Sequence, residues 1–246
     1  RNIEMQAQAR VHALQARIRP HFLFNSMNTI ASLTRADPSR AEEAVQDLAD
    51  LFTNVPWVLI GSATVFQLIY ICMRGGAIAY YFKYFVKGQE VLSFGLVSYE
   101  KLLSTFLVAG TAATILGVLL TTRIGRVLGK SLAYALFLGV AGVSSGAVYF
   151  LGPQDVVLMF VLQIITSFSV GPVSVLQWSI YTDAADYGEW KKGRRATALV
   201  MAASLFALKM GIALGVSAMA WILGAYGFVA NQEQTHEYPD PPLRRV

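Results

Sequence analysis

The sequence is poor in the residues that cross-link a small fold or bind a metal. Its 246 residues include one cysteine, Cys72, and three histidines, which excludes a disulfide framework and predicts no metal site. Charged residues make up 14% of the chain, against about 25% in average globular proteins. The sequence has no basic stripe with interleaved aromatic residues, which excludes nucleic-acid binding as a leading function. Because 55% of the residues are hydrophobic, the composition predicts a membrane protein.

Charge is divided unevenly along the chain. Residues 1–50 hold six arginines and six acidic residues, whereas residues 51–246 hold 14 basic and nine acidic residues. The whole net charge of +5 therefore lies in the apolar part, where Lys and Arg are typical of loops that face the cytoplasm. We predict that water surrounds the first part and lipid surrounds the second.

The first part has the pattern of a helical hairpin. Four apolar residues recur at the three- and four-residue intervals of one helical face: Val11, Leu14, Ile18 and Phe22. Pro20 predicts a kink, because proline removes a backbone donor and clashes with the preceding turn. Asp37 followed by Pro38 predicts the N-cap and first residue of a second helix. Two such short helices cannot bury a core alone, so we expect a homodimer through a four-helix bundle.

His21 is the candidate for chemistry in this part. An imidazole beside a kink can accept a phosphoryl group near neutral pH, although a surface histidine is the ordinary structural alternative. The surrounding sequence, PHFLFNSMNTI at 20–30, resembles the phosphoacceptor segment of the LytS-type sensor histidine kinases. The resemblance implies that His21 is the phosphoacceptor and that Asn25 belongs to the same signature.

The same resemblance implies a domain that the sequence does not contain. Kinases of this family need an ATP-binding domain after the hairpin, and no segment here matches its asparagine-bearing helix or its glycine-rich loops. Whether the chain is an enzyme therefore stays open. His21 would be phosphorylated only by a kinase domain in trans, which would bind ATP and Mg²⁺, and a response regulator would be a further partner. We expect the chain itself to bind no cofactor.

From residue 51 the chain consists of long uncharged runs. Crossing a hydrocarbon core takes about 20 apolar residues, and five runs are long enough: 55–86 with a break at Arg74, 102–122, 131–154, 156–182 and 196–230. The sequence thus predicts an all-α fold in which a cytoplasmic hairpin precedes about five transmembrane helices. The basic loops at 123–130 and 183–195 face the cytoplasm by the positive-inside rule, which places the amino terminus there too.

Three features place charge where hydrocarbon penalises it. Lys209 lies in the middle of the last run, where a role in a wet cavity competes with snorkelling to the interface. Arg74 precedes Gly75 and Gly76, which indicates an unwound stretch beside a substrate path or an arginine at the interface. Opposed charges at 183–195 predict either a salt-bridge gate or a solvated loop: Asp183, Asp186, Glu189, Arg194 and Arg195.

These features lie in motifs of a second family. The segments YTDAADYGEWKKGRRAT at 181–197, RGGA at 74–77 and YYFKY at 80–84 resemble the glycoside–pentoside–hexuronide:cation symporters of the major facilitator superfamily, the melibiose permease type. The resemblance implies a sugar substrate, Na⁺ or H⁺ as the coupling cation, a multi-pass protein of the bacterial inner membrane, and a cavity-facing role for Lys209. It also implies that the chain lacks six amino-terminal helices and the twelfth helix, so we expect no transport by this chain alone.

The two resemblances together predict the domain organisation. We assign 1–50 to a truncated kinase hairpin, 51–237 to the carboxyl-terminal half of a symporter, and 238–246 to a disordered tail. Three hypotheses stay open: a symporter fragment with a foreign amino terminus, a membrane-bound sensor kinase fragment phosphorylated in trans on His21, and a fusion without activity. The lipid bilayer is a partner in all three.

Overall fold

The computed structural model describes residues 21–90, 95–193 and 196–228. The helices of these residues are α1 (His21–Ala36), α2 (Pro38–Thr53), α3 (Val55–Tyr80), α4 (Tyr99–Leu128), α5 (Lys130–Ala147), α6 (Val156–Lys192) and α7 (Thr197–Ala225). A π-helical turn, Tyr81–Val86, follows α3, and a 3₁₀ turn, Val148–Phe150, follows α5. Two short antiparallel strands, β1 (Gln89–Glu90) and β2 (Leu96–Val97), lie between α3 and α4.

The hairpin of α1 and α2 forms where the sequence predicts it. Asp37 is the N-cap of α2, where its carboxylate accepts a hydrogen bond from the Arg40 amide at 3.2 Å, and Pro38 occupies the first helical position. Proline is suited to that position because its missing N–H would have no partner inside the helix. The predicted second helix is therefore confirmed. The predicted kink at Pro20 lies outside the described residues.

Within the described residues, five helices are long and apolar enough to cross a membrane: α3 with its π turn, α4, α5 with its 3₁₀ turn, α6 and α7. Their bounds enclose or overlap each of the five predicted runs, which confirms the helical class and the partial transporter-type architecture. The small β-ribbon was not predicted. The side of the membrane on which the hairpin lies stays a prediction.

The backbone after Arg74 contradicts one of the two alternatives that the sequence left open, the unwound stretch. Helix α3 continues without a break through Gly75 and Gly76 to Tyr80, so the prediction of an unwound stretch is wrong. In lipid, backbone groups must be bonded within the segment, and a continuous helix achieves this. The helical period changes at Tyr81, where the π turn begins. The turn ends at Val86, and the next residue, Lys87, has a positive φ of 57°.

The prediction of a loop at 183–195 is also wrong for residues 183–192, which are helical. Helix α6 extends to Lys192 and ends at Gly193, whose φ of +69° suits glycine. Ala184 and Ala185 are 1% and 4% exposed, so one face of this end of the helix is packed, while Asp183 and Asp186 at the same end are exposed. Two lysines in the last turn further favour helix here, because cations interact well with a helix C-terminus.

The described chain divides into two compact units. The first contains residues 21–70 and 181–215, and its core includes Leu51, Ala185, Val200 and Ala203. The second contains residues 71–180 and 216–228. Its core is built from the π turn and the amino-terminal ends of α4 and α6: Phe82, Val86, Leu102, Phe106, Val156 and Met159. The first unit holds Lys209 and the acidic residues at 183–189, and the second holds Arg74.

Candidate functional site

In the second unit, two neighbouring helices hold an arginine inside a spanning segment. The Nε of Arg74 donates to Oγ of Ser145 on α5 at 3.1 Å, and its Nη2 donates to Oε1 of Gln163 on α6. At a rise of about 1.5 Å per residue, Arg74 lies about 18 Å from the nearer end of its helical span. The sequence analysis selected Arg74 but missed Ser145 and Gln163, whose only available signal was a polar residue within an apolar run.

The amide of Gln163 has a fixed orientation. Its Nε2 donates to the backbone carbonyl of Phe106 on α4 at 3.5 Å, which leaves Oε1 as the acceptor for Arg74. Gln163 is 4% exposed. A Cβ on Gly110 of α4 would overlap the Gln163 amide, so this glycine makes room for it. Helices α4, α5 and α6 therefore all contribute to the position of the guanidinium.

A cavity of about 150 Å³ borders Arg74 in this unit. Its other walls are mainly aromatic and aliphatic: Ala77, Ile78, Tyr81, Phe82, Phe106, Val148 and Met159, with the Ser145 hydroxyl as a polar exception. Arg74 is the one charged residue among the lining residues. The described residues show no ion pair of Arg74; the pairs Asp37–Arg40 and Asp50–Lys192 lie elsewhere in the chain. An arginine at the centre of a span costs about 2.5–3.5 kcal/mol on insertion, which neutral hydrogen bonds only partly offset.

Lys209 borders a larger cavity in the first unit. The cavity has a volume of about 710 Å³, and Lys209 lies near the middle of α7 on one wall. The hairpin contributes the facing wall with polar residues that include Asn25, Thr29 and Asp47. The structure thus brings Asn25, from the kinase-like signature, and Lys209 to one cavity. A role for either in transport stays a prediction.

One charged residue at the end of α6, Lys192, contacts the second helix of the hairpin. Asp183 and Asp186 are exposed and Glu189 is half-buried, whereas Arg194 and Arg195 lie outside the described residues. Lys192 forms an ion pair of 3.2 Å with Asp50 of α2. The contact in this region is therefore between α6 and the hairpin, which the sequence analysis did not predict.

Asn54 lies between α2 and α3, and its side chain connects this point of the chain to α6. Its Nδ2 donates to the carbonyl of Ala184 at 2.7 Å, and its Oδ1 accepts from the Trp57 amide at 3.2 Å. Deeper in the same unit, the hydroxyls of Thr64 and Tyr181 share a hydrogen bond of 2.7 Å, and both residues are 0% exposed. These contacts fix the α6 end against α3.

His21 is the first residue of α1, and its side chain lies outside what the structure describes. Asn25, one turn later, is exposed. No three His, Cys, Asp or Glu side chains gather as a metal site in the described segments. Phosphoacceptor chemistry at His21 stays a prediction.

Long apolar helices that place an arginine and a lysine beside cavities define a multi-pass helical membrane protein with polar intramembrane sites. Residues 25–240 match the family described as MFS/sugar transport protein, and the chain belongs to that family. The match begins inside α1, so it includes most of the hairpin as well as the five long helices.

Individual relatives agree with the family assignment. The chain is 31% identical over 188 residues to the inner membrane symporter YicJ and 28% identical over 189 residues to the putative glycoside/cation symporter YagG, both from Escherichia coli K12. Each similarity covers 76% of this chain, which spans about 38% of the length of either relative. A stretch of 49 residues is 43% identical to the sensor protein LytS of Streptococcus agalactiae, covering 20% of this chain and 8% of that protein.

Proposed function

We propose that this chain forms one half of a sugar:cation symporter in the bacterial inner membrane, with 51–237 as the transporter part and 1–50 as a cytoplasmic hairpin; the predicted tail at 238–246 lies outside the described residues. The observation that carries the proposal is Lys209, a basic residue near the middle of a spanning helix. A charge in such a position is retained where it contacts substrate, ions or water. The family membership and the glycoside/cation symporter relative support the substrate class.

In the proposed mechanism Lys209 has two roles. Its ammonium group has three donors, which suit the hydroxyl oxygens of a sugar. Its positive charge also repels a coupling Na⁺ or H⁺ from this wall, so the cation would bind to carboxylates of the other half. Transporters of this superfamily are built from two parallel halves that rock about a midplane site. We therefore assign to this chain one wall of the pathway, with Arg74 on its second unit.

The cytoplasmic end of α6 is proposed as a gate. Three of its acidic residues lie in the last three turns of α6, and basic residues follow: Asp183, Asp186, Glu189, Arg194 and Arg195. Opposed charges can pair in one conformation and separate in the other. The ion pair between Asp50 and Lys192 supports a role for this end of the helix in conformational change.

The test of the main proposal is sugar uptake. We would express the chain together with the amino-terminal half of the YicJ symporter in cells that lack that transporter, and measure uptake of radiolabelled glycosides and pentosides. Uptake that depends on the Na⁺ or proton gradient, and that falls at least about tenfold in Lys209→Ala, would support the proposal. The matched control is Lys101→Ala, an exposed lysine near the start of α4. Absence of uptake while both polypeptides are present in the membrane contradicts the proposal.

A second candidate function rests on the hairpin. The similarity of 49 residues to the sensor protein LytS supports a phosphoacceptor role for His21, with Asn25 in the same signature. In this alternative a kinase domain in trans supplies the phosphoryl group from ATP and Mg²⁺, the hairpin mediates a homodimer, and a response regulator receives the phosphate. Transfer of labelled phosphate from an intact LytS-type kinase to the chain, lost in His21→Ala, tests this second candidate function.

If neither uptake nor phosphate transfer occurs, the third hypothesis holds, that of a fusion without activity.

A further inference from the structure

Arg74 is held in a position that suits a specific kind of ligand. Of its five N–H donors, the structure uses one on Nε for Ser145 and one on Nη2 for Gln163. No hydrogen bond of Nη1 occurs within the described residues. The guanidinium is thus anchored on one side and keeps donors available on the other.

The anchoring groups are all neutral. The Gln163 amide is fixed because its Nε2 donates to the Phe106 carbonyl, and Gly110 leaves the space that this amide occupies. These contacts hold the guanidinium without neutralising it. Among the lining residues of the adjacent cavity of about 150 Å³, Arg74 carries the one charge, and aromatic rings form much of the remaining wall.

We propose that Arg74, positioned by Gln163 and Ser145, binds a carboxylate group in this cavity. A partly buried cation with neutral partners gains from a counter-charge, and the planar guanidinium fork matches the two oxygens of a carboxylate. The carboxylate comes from a small solute or from an acidic side chain of a polypeptide outside this chain. Gln163 is a positioning residue, because it acts on the ligand through Arg74.

The cavity walls indicate a suitable probe. Tyr81, Phe82 and Phe106 offer ring faces and edges, which pack well against another aromatic ring. Benzoate combines such a ring with a carboxylate, and benzamide has nearly the same shape without the charge. Neither molecule is a sugar, so failure of this test leaves the symporter proposal standing.

The first arm of the experiment uses the full chain, purified in detergent, and follows thermal unfolding by tryptophan fluorescence. We expect benzoate to raise the midpoint in a saturable manner and benzamide to have no comparable effect. In Arg74→Lys the benzoate affinity should fall at least about tenfold, because charge-assisted bidentate hydrogen bonds are lost. Equal stabilisation of Arg74→Lys and the wild type by benzoate counts against the site.

The second arm supplies the carboxylate from within the chain. Gln163→Glu keeps the shape of the side chain and places a carboxylate against Arg74, but it loses the donor to the Phe106 carbonyl. Because the new carboxylate neutralises the guanidinium, we expect the charge pair to outweigh that loss, so the midpoint should rise and the response to benzoate should disappear. Gln177→Glu is the matched control, since Gln177 lies on the same helix and is 6% exposed, and we expect its midpoint to fall. A rise in Gln163→Glu without benzoate binding supports a carboxylate from another polypeptide. If benzoate does not bind and Gln163→Glu unfolds as early as Gln177→Glu, the proposal is overturned.

Discussion

Replacing Asn54, the residue between α2 and α3, should remove a contact with the end of α6 and lower the stability of the chain. Asn54 is 6% exposed, and its amide makes two hydrogen bonds, to the Ala184 carbonyl and from the Trp57 amide. In Asn54→Ala both are lost and the Trp57 amide has no cap. At about 1–1.5 kcal/mol for each bond, the loss amounts to about 2–3 kcal/mol. For a domain of this size, each kcal/mol shifts the unfolding midpoint by about 2–4 °C, so we expect a fall of about 4–12 °C.

A second variant separates the two hydrogen bonds. Asn54→Asp keeps an acceptor for the Trp57 amide but removes the donor to Ala184, and its carboxylate then faces a carbonyl oxygen. If the hydrogen bond to Ala184 contributes most of the stability, Asn54→Asp should be at least as unstable as Asn54→Ala. If the hydrogen bond from the Trp57 amide contributes most, Asn54→Asp should be close to wild type.

The measurement is thermal unfolding of the purified chain in detergent, followed by the fluorescence of Trp57 and its three fellow tryptophans. The ring nitrogen of Trp57 donates to Ser204 at 3.2 Å, so loosening of this region should also change the emission before global unfolding. A midpoint of Asn54→Ala within about 1 °C of wild type would refute the assigned role, because it would mean that two buried hydrogen bonds contribute almost nothing.

Two further predictions concern packing and pH. Gly117→Ala should lower the midpoint by several degrees, because its Cβ would overlap the backbone carbonyl of Phe168 and overpacking costs about 1–3 kcal/mol. Gly139→Ala, which meets no atom within 4 Å, is its control and should unfold like the wild type. For Asp37, a hydrogen bond from the Ser39 hydroxyl holds the pKa below its ordinary value, so its carboxylate stabilises α2 at neutral pH and this contribution is lost as the pH falls through the lowered pKa. Asp37→Asn should remove that part of the acid sensitivity, and an unchanged pH profile of the midpoint would contradict it.

The number and class of the long helices could be predicted because their signal is local. A run of about 20 apolar residues is both the requirement for crossing hydrocarbon and the pattern that the sequence shows. The start of α2 was equally local, since Asp37 and Pro38 specify a cap and a first turn within two residues. Each of these predictions depends on the residue and its immediate neighbours.

The ends of helices were harder to predict because charge was taken as a sign of a loop. The end of α6 carries acidic residues and lysines, yet Ala185 packs into the core beside Leu51 and the helix continues to Lys192. A charged sequence can remain helical when one face is buried and the other is solvated. Which face is buried depends on α2 and α7, and a hydropathy scan cannot supply that information.

The partners of Arg74 could not be predicted for a related reason. In lipid, apolar side chains gain little by choosing one helix over another, so close approach of small residues and hydrogen bonds between helices select the partners. In the second unit these contacts join α6 to its neighbours: the Thr114 hydroxyl bonds to the Ser167 carbonyl at 3.0 Å, and the hydroxyls of Ser144 and Thr166 share a hydrogen bond of 2.8 Å. Scattered Ser, Thr and Gln residues look like interruptions in an apolar run, yet they bring the helices together. The position of Gln163 against Arg74 is a consequence of that pairing, and therefore appears only when the helices are assembled.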